Sequence, residues 1–205
     1  IDFGKFNQGI GAATQRFELI ALESGRYATR AALVTEGRIL GALESGRGRY
    51  ESVVKVIPET IQSNTVGLNA GQKAALETTL LSRDQFLAWQ GVAGAGKTFA
   101  INELRPVAEG HGIKVFGFAP SAEAAKVLET EGHLKAATVA SLLTAKPEPA
   151  GRQLWIVDEA GLLSARDCEK LMVKAQIERA RVICVGDTRQ LSGGEAGNPF
   201  KLRQQ

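Results

Sequence analysis

Residues 67–205 read as an α/β domain, a parallel β-sheet flanked by helices, and residues 1–66 as a small accessory or linker region of hairpin and helix. Three observations carry this expectation. The runs FLAWQ (86–90), IKVFGF (113–118), LWIVD (154–158) and RVICV (181–185) are continuous apolar stretches of strand length, as expected of strands covered on both faces. Helix-like segments at about 97–109, 121–131, 138–144 and 165–179 separate them, so that strand and helix alternate. A glycine-rich octapeptide, GVAGAGKT (91–98), joins the first of these strands to the first of these helices.

In chain order, RFELIAL, ESG and RYAT (16–29) predict a hairpin turning at Gly25. ATRAALVTEGRILGALES (28–45) then predicts a helix with Leu33, Leu40 and Leu43 on its apolar stripe and Gly46 as its stop. The hexamer ALESGR occurs at 21–26 and again at 42–47, too short a match to mark a repeat. Arg47, Arg49 and Tyr50 form a basic loop that suits either nucleic-acid contact or plain solvation. In the helix after the glycine-rich loop, Pro106 is expected to kink or shorten it by clashing with the Asn102 carbonyl. Ser164 and Asp167 are expected to form an N-cap and capping box for the last helix.

Composition excludes little but is informative. The chain has 205 residues, 44% hydrophobic and 23% charged, ordinary for a globular protein. No apolar run reaches the ~20 residues of a bilayer span, and IDFGKFNQGI lacks a signal-peptide pattern, so no membrane insertion is expected. Cys168 and Cys184 are distant in sequence with no CxxC partner; buried thiols and a cytoplasmic, reducing compartment are the expectation. A net charge of +3 permits a polyanionic partner without requiring one.

The octapeptide fits G-x-x-x-x-G-K-[ST] through Gly91, Gly96, Lys97 and Thr98. Glycine lets such a loop curl until its N–H groups, from Gly91, Val92, Ala93, Gly94, Ala95 and Gly96 onward, face phosphate oxygens. The helix beginning at Lys97 adds the positive end of its dipole. Lys97 is then expected to reach the β- and γ-phosphates of ATP, and the Thr98 hydroxyl to ligate Mg²⁺. LWIVDEAG supplies the complementary carboxylates 60 positions beyond Thr98: Asp158 for Mg²⁺ and Glu159 to polarise water. Water as acceptor points to a hydrolase rather than a kinase.

With those motifs placed, other segments resemble superfamily 1 helicases of the RecD-like branch, and more narrowly the helicase part of MobF-type conjugative relaxase-helicases. LNAGQKAAL (68–76) resembles the adenine-reading motif, with Gln72 as reader. GFAPSAEAAKVL (117–128) and ATVASLL (137–143) resemble the family's DNA-contacting segments, which implies that Pro120, Ser121, Thr138 and Ser141 touch single-stranded DNA phosphates. Ser121 is equally well placed as a helix cap. VGDTRQLSGGEAGNPF (185–200) resembles the motif in which Gln190 would sense the γ-phosphate. RYATRAALVTEGRILGALESGRG (26–48) is similar to the segment preceding the core in that family. Ser121 stands where threonine is usual, keeping the hydroxyl, and Gly193-Gly194 replaces a bulkier pair.

The resemblance implies a RecA-like first motor domain whose active site is completed by an arginine finger from a second RecA-like domain. That second domain is expected outside this chain, which reads as a fragment ending after the γ-phosphate motif. The two histidines and two tyrosines (His111, His133, Tyr27, Tyr50) do not suffice for the relaxase's three-histidine metal cluster and tyrosine nucleophile. The family also implies conjugative secretion machinery as a possible partner. Two other expectations stand beside the motor: a non-hydrolysing single-stranded DNA clamp that serves as a translocation signal, and a RecD-like repair helicase.

Overall fold

The computed structural model describes residues 19–21, 27–91, 96–147 and 151–186. Its centre is a five-stranded, all-parallel sheet of β3 (Phe86–Gln90), β4 (Lys114–Ala119), β5 (Lys135–Thr138), β6 (Gln153–Val157) and β7 (Ala180–Gly186), in the spatial order β3-β7-β6-β4-β5. β6, the middle strand, is buried along its whole length. That position explains why LWIV reads as a continuous apolar run rather than an alternation.

Successive β6 side chains supply opposite cores. Leu154 and Ile156 join one cluster with Leu76, Leu80, Ile101, Leu104 and Ile183. Trp155 and Val157 join the other with Ile39, Phe118, Leu171, Met172 and Val182. The first cluster is capped by α3 (Ala70–Leu81) and α4 (Lys97–Gly110), the second by α1 (Arg30–Ser45) and α7 (Ala165–Ile177). The short α6 (Val139–Thr144) joins that second face, while α5 (Ala122–Glu131) packs beside β4 and β5. The result is a three-layer α/β/α sandwich. Phe118 and Trp155 meet edge to face with centroids 5.5 Å apart.

The four strands expected from the apolar runs are present. β5 is additional, since KAAT carries no hydrophobic run; it is held at the sheet edge by main-chain pairing, Phe116 opposite Lys135 through Ala119 opposite Thr138. Before the sheet, β1 (Leu19–Ala21) and β2 (Tyr27–Thr29) pair antiparallel as the hairpin reading requires. Its turn, including Gly25, lies outside the described residues.

Two expectations about α1 and α4 change, while Gly46 stands as the stop of α1. The buried anchor of α1 is Ile39, with Ala42 and Leu43 packed beside it, whereas Leu40 is 43% exposed. The helix is therefore rotated so that Ile39 and Leu43, rather than Leu40, face α7. Gly46 ends α1 in an ordinary right-handed conformation, and its lack of a side chain matters because a Cβ would lie 2.9 Å from the Phe86 ring. α4 is not shortened by Pro106; it continues to Gly110, with Leu104 and Ala108 buried on either side of the proline. Burial of that face outweighs the one backbone hydrogen bond a proline forfeits.

Ser164 caps α7, accepting from the Asp167 N–H at 3.1 Å, but Asp167 accepts the Ser164 hydroxyl at 2.9 Å instead of returning to the backbone. A complete capping box occurs elsewhere: Asn69 accepts from the Gln72 N–H, and Gln72 Oε1 from the Asn69 N–H at 2.8 Å.

The segment between α1 and α3, which includes the one-turn α2 (Glu59–Gln62), is stitched to the sheet domain. Val53, Val54 and Ile61 are buried in the first core, and the Val54 N–H donates to Leu80. Both cysteines are free thiols. Burial, with a smaller contribution from Cys184, pushes the Cys168 thiol far above the usual range. No described helix is long and apolar enough to cross a membrane.

Candidate functional site

In a parallel sheet every strand ends at the same edge, and the loops leaving that edge form the natural ligand crevice. Here Gly91 follows β3, Pro120 and Ser121 follow β4, Thr138 ends β5, and Asp158 follows β6. Four of the five loops that the sequence singles out are therefore brought to one edge. The fifth, carrying Gln190 after β7, lies outside the described residues, as do Val92, Ala93, Gly94 and Ala95. With strands ~4.8 Å apart, the strand order sets Asp158 two ranks, ~10 Å, from the β3 loop, and Thr138 four ranks, ~19 Å, away. The expected nucleotide residues thus occupy one end of the edge and the expected DNA residues the other.

Gly96 takes the left-handed conformation (φ 69°, ψ 35°) and starts α4 without a side-chain cap. The first-turn N–H groups of Lys97, Thr98 and Phe99 consequently have no intrahelical acceptor and face the crevice end of the helix, the arrangement that binds phosphate. Lys97 Nζ donates to the Gly91 carbonyl at 3.1 Å, so its ammonium is drawn across the mouth of the loop.

Behind the loop stands Gln72. Its Nε2 donates to the Gly96 carbonyl at 2.9 Å while its Oε1 closes the capping box of α3. A side chain at position 96 would collide with that amide, so glycine is required there both for its φ and for the close approach of Gln72. Reading by resemblance assigns Gln72 to adenine. The structure places it against the phosphate loop, a contact the Asn69-x-x-Gln72 capping signature could have suggested.

Asp158 is half-buried and Glu159 exposed. The Asp158 N–H donates to the Phe118 carbonyl at 2.8 Å, fixing the end of β6 against β4. Asp158 Oδ1 accepts from the Glu159 N–H at 2.9 Å. Glu159 sits at φ 49°, ψ 31°, a left-handed conformation that costs a non-glycine residue on the order of 1 kcal/mol. This turn projects adjacent carboxylates from the strand end instead of letting them continue along it. The hydroxyl of Thr98 and the carboxylate of Asp158 are hard oxygen donors of the kind Mg²⁺ takes alongside substrate phosphates. Among the described residues no group of three or more His, Cys, Asp or Glu forms a protein-only metal cage.

At the other end of the edge, Ser121 and Thr138 are both N-caps, accepting from the Ala124 and Ser141 N–H groups at 3.1 Å each. Ser141 is exposed in the first turn of α6, and Pro120 is half-buried at the turn into α5. Capping orients both hydroxyls at the start of helices whose N-termini point to the same edge.

A family described as "AAA domain" matches residues 67–205. This chain belongs to that family. The match begins beside the Asn69–Gln72 capping box and runs through the phosphate loop and Asp158-Glu159, so the whole crevice lies within the AAA domain. Among curated relatives, the chain is 29% identical over 194 residues to the probable conjugal transfer protein TraA of Sinorhizobium fredii, covering 90% of this chain and 18% of that protein. It is 26% identical over 220 residues to the multifunctional conjugation protein TraI of Escherichia coli K12, covering 98% of this chain and 12% of TraI. The ATP-dependent RecD2 DNA helicase of Deinococcus radiodurans is 28% identical over 220 residues, 96% of this chain and 30% of the helicase. The chain therefore spans less than a third of the length of each of these relatives. Similarity to TraA, TraI and RecD2 over nearly the whole chain agrees with the motif order, and extends upstream of the AAA domain into residues 1–66.

Proposed function

We propose that residues 67–205 are the first, RecA-like motor domain of a DNA helicase or translocase within a larger conjugative relaxase, with residues 1–66 as its accessory region. The observation that carries this is the convergence of the phosphate loop, the Asp158-Glu159 turn and two hydroxyl-capped helices on one edge of a parallel sheet. In this reading the backbone from Gly91 to Gly96 and the first turn of α4 bind the phosphates of ATP. Lys97 leaves the Gly91 carbonyl for the β- and γ-phosphates, and Thr98 and Asp158 hold Mg²⁺, which neutralises charge on the transferring phosphoryl group. Glu159 orients water and accepts its proton, and Gln190 reports the γ-phosphate to the DNA side. Pro120, Ser121, Thr138 and Ser141 contact single-stranded DNA through phosphates, which suits movement along any sequence.

The second RecA-like domain of the larger protein contributes the arginine finger, and conjugative secretion machinery is the partner in a bacterial cytoplasm. The test is Mg-ADP or Mg-ATP binding by the 205-residue polypeptide: Lys97→Ala should abolish it, and an unchanged affinity in that variant would reject the assignment. The resemblance to RecD2 over 96% of the chain favours, as a second reading, a repair helicase of the same mechanism. An upstream relaxase domain in the full reading frame separates the two.

A further inference from the structure

The opposite edge of the sheet, where the strands begin, carries a second concentration of charge that the motor reading does not use. The loop after α1 is docked there by backbone hydrogen bonds: the Gln85 N–H donates to the Gly46 carbonyl at 2.8 Å and the Tyr50 N–H to the Arg83 carbonyl at 2.9 Å. This sets Arg49 and Tyr50 beside the residues that lead into β6 and β7. Arg49, Tyr50, Arg152, Gln153, Arg179 and Arg181 line one open cleft of about 700 Å³.

Two features mark it as more than a solvated basic surface. Arg181 is 3% exposed and donates to the Asp84 and Ser82 carbonyls, but its Nη1 has no partner among the described residues. Gln153, 5% exposed, accepts from the Trp155 indole through Oε1 and likewise leaves Nε2 without a partner among them. Both donors, like the Glu178 Oε1 beside them, are buried behind the cleft, so they make its wall polar without themselves reaching its opening. Arg179 holds a left-handed backbone (φ 54°) at the position after the α7 C-cap, which turns the chain from α7 into β7 at the rim of the cleft.

The charge balance is positive. Glu51 and Glu178 also line the cleft, but Glu178 is already paired with Lys174 at 2.8 Å. Burial, reinforced by the neighbouring charge of Arg152, lowers Arg181 to about 10, which leaves it cationic at neutral pH. Burial raises the Tyr50 phenol, while the charges of Arg49, Arg179 and Arg181 and a hydrogen bond with Gln85 act against that rise, so the half-buried side chain lies within electrostatic reach of three guanidinium groups that line the same cleft. Guanidinium forks match phosphate oxygens in pairs, and an aromatic face among them is what a nucleobase stacks on; a carboxylate ligand would have no use for the ring.

We infer that this cleft is a second nucleic-acid site, taking a short stretch of single strand by its phosphates on Arg49, Arg152 and Arg179 and one base on Tyr50. It is separated from the ATP crevice by the length of the strands, roughly 16–20 Å. A strand leaving the motor edge could therefore be held on the far side of the same domain. The site stands on its own residues and does not require that the crevice hydrolyse ATP.

The test uses the full 205-residue chain and a fluorescein-labelled oligothymidylate of about 16 nucleotides, titrated by anisotropy at several salt concentrations. Replacing the three exposed arginines together (Arg49→Ala, Arg152→Ala, Arg179→Asn) should weaken binding at least tenfold. It should also reduce the slope of log K against log salt by about 2, near 0.7 for each phosphate that is no longer neutralised. Mg-ADP affinity should stay the same, which separates this site from the crevice tested by Lys97→Ala. In the unaltered chain, an oligonucleotide carrying 5-bromodeoxyuridine should photocrosslink to Tyr50, a readout independent of how the triple variant folds. Unchanged oligonucleotide affinity and slope in a folded triple variant, or crosslinks confined to residues 120–141, would overturn the inference. Displacement of the oligonucleotide by equimolar inorganic phosphate or AMP would overturn it in favour of a small phosphate ligand, and tighter arginine-dependent binding of polyglutamate in favour of an acidic protein partner.

Discussion

Gln72 bonds to two elements at once, and the two bonds can be separated chemically. Its Oε1 completes the cap of α3 through Asn69, while its Nε2 steadies the Gly96 carbonyl at the hinge of the phosphate loop. Glutamate at position 72 keeps an acceptor for the cap but cannot donate to Gly96, and it adds a negative charge behind the phosphates. Gln72→Glu should therefore keep the cap and lose only the Gly96 bond, about 1 kcal/mol by urea unfolding, while weakening Mg-ATP binding at least tenfold. Gln72→Ala should lose about 1–2 kcal/mol of stability as well, since it removes both bonds. Equal nucleotide affinity in Gln72→Glu would show that the Gly96 bond has no bearing on the loop. The motif pattern makes position 72 legible as a nucleotide-site residue. Its dual bonding is not legible, because the nearness of residues 72 and 96 is created only when α3 packs beside α4. Lys97, Thr98, Asp158 and Glu159 are legible for a different reason: their spacing from a strand end is local, and local spacing survives into the fold unchanged.

Between elements, β4 and α5 approach closely. A Cβ built on Gly117 would lie 2.7 Å from Leu128 Cδ2 and 3.2 Å from the Ala136 Cβ, in a layer where Leu128 is itself buried. Gly117→Val should destabilise the protein by about 1–3 kcal/mol through overpacking, seen as a lowered melting temperature, and the same change at exposed Gly37, where nothing lies within 4 Å, should not show this steric cost. The second inter-element bond that matters is buried: Trp89 Nε1 donates to Thr79 Oγ1 at 2.8 Å, tying β3 to α3 beneath the phosphate loop. Thr79→Val keeps the shape but strands the indole N–H, at a cost of about 1–3 kcal/mol measurable by urea unfolding. Elements with strong apolar patterns are the readable ones. β5 escapes because an edge strand of Lys135, Ala136, Ala137 and Thr138 is defined by its pairing with β4 rather than by its own side chains. The buried face of α1 is hard to read for a related reason, since several apolar stripes compete on that helix and only packing on α7 selects Ile39.

Across the whole domain, chemistry is divided between the two ends of one sheet. The C-terminal edge collects the groups proposed to bind phosphate and the carboxylates proposed to handle water, while the N-terminal edge collects arginines around Tyr50. This division follows from all five strands running the same way, which any sequence alternating strand and helix imposes; in the sequence the arginines of the far edge are scattered positions, and they become a cluster only when β6 and β7 lie side by side. The same geometry bears on turnover. Of the residues proposed to act on ATP, the described ones, Gly91, Gly96, Lys97, Thr98, Asp158 and Glu159, all gather at one edge of the sheet. Charge developing on the outer face of the γ-phosphate in the transition state must be met from the opposite side, by the proposed second domain's arginine, whose contribution in comparable sites is about 10³–10⁵ in rate. The isolated chain should accordingly bind Mg-ATP with an affinity sensitive to Lys97→Ala yet hydrolyse it slowly, with or without oligonucleotide. Adding the second motor domain, by fusion or in trans, should raise kcat by at least a thousandfold with little change in nucleotide affinity. Rapid steady-state hydrolysis by the 205-residue chain alone would mean that this edge already contains what the transition state needs.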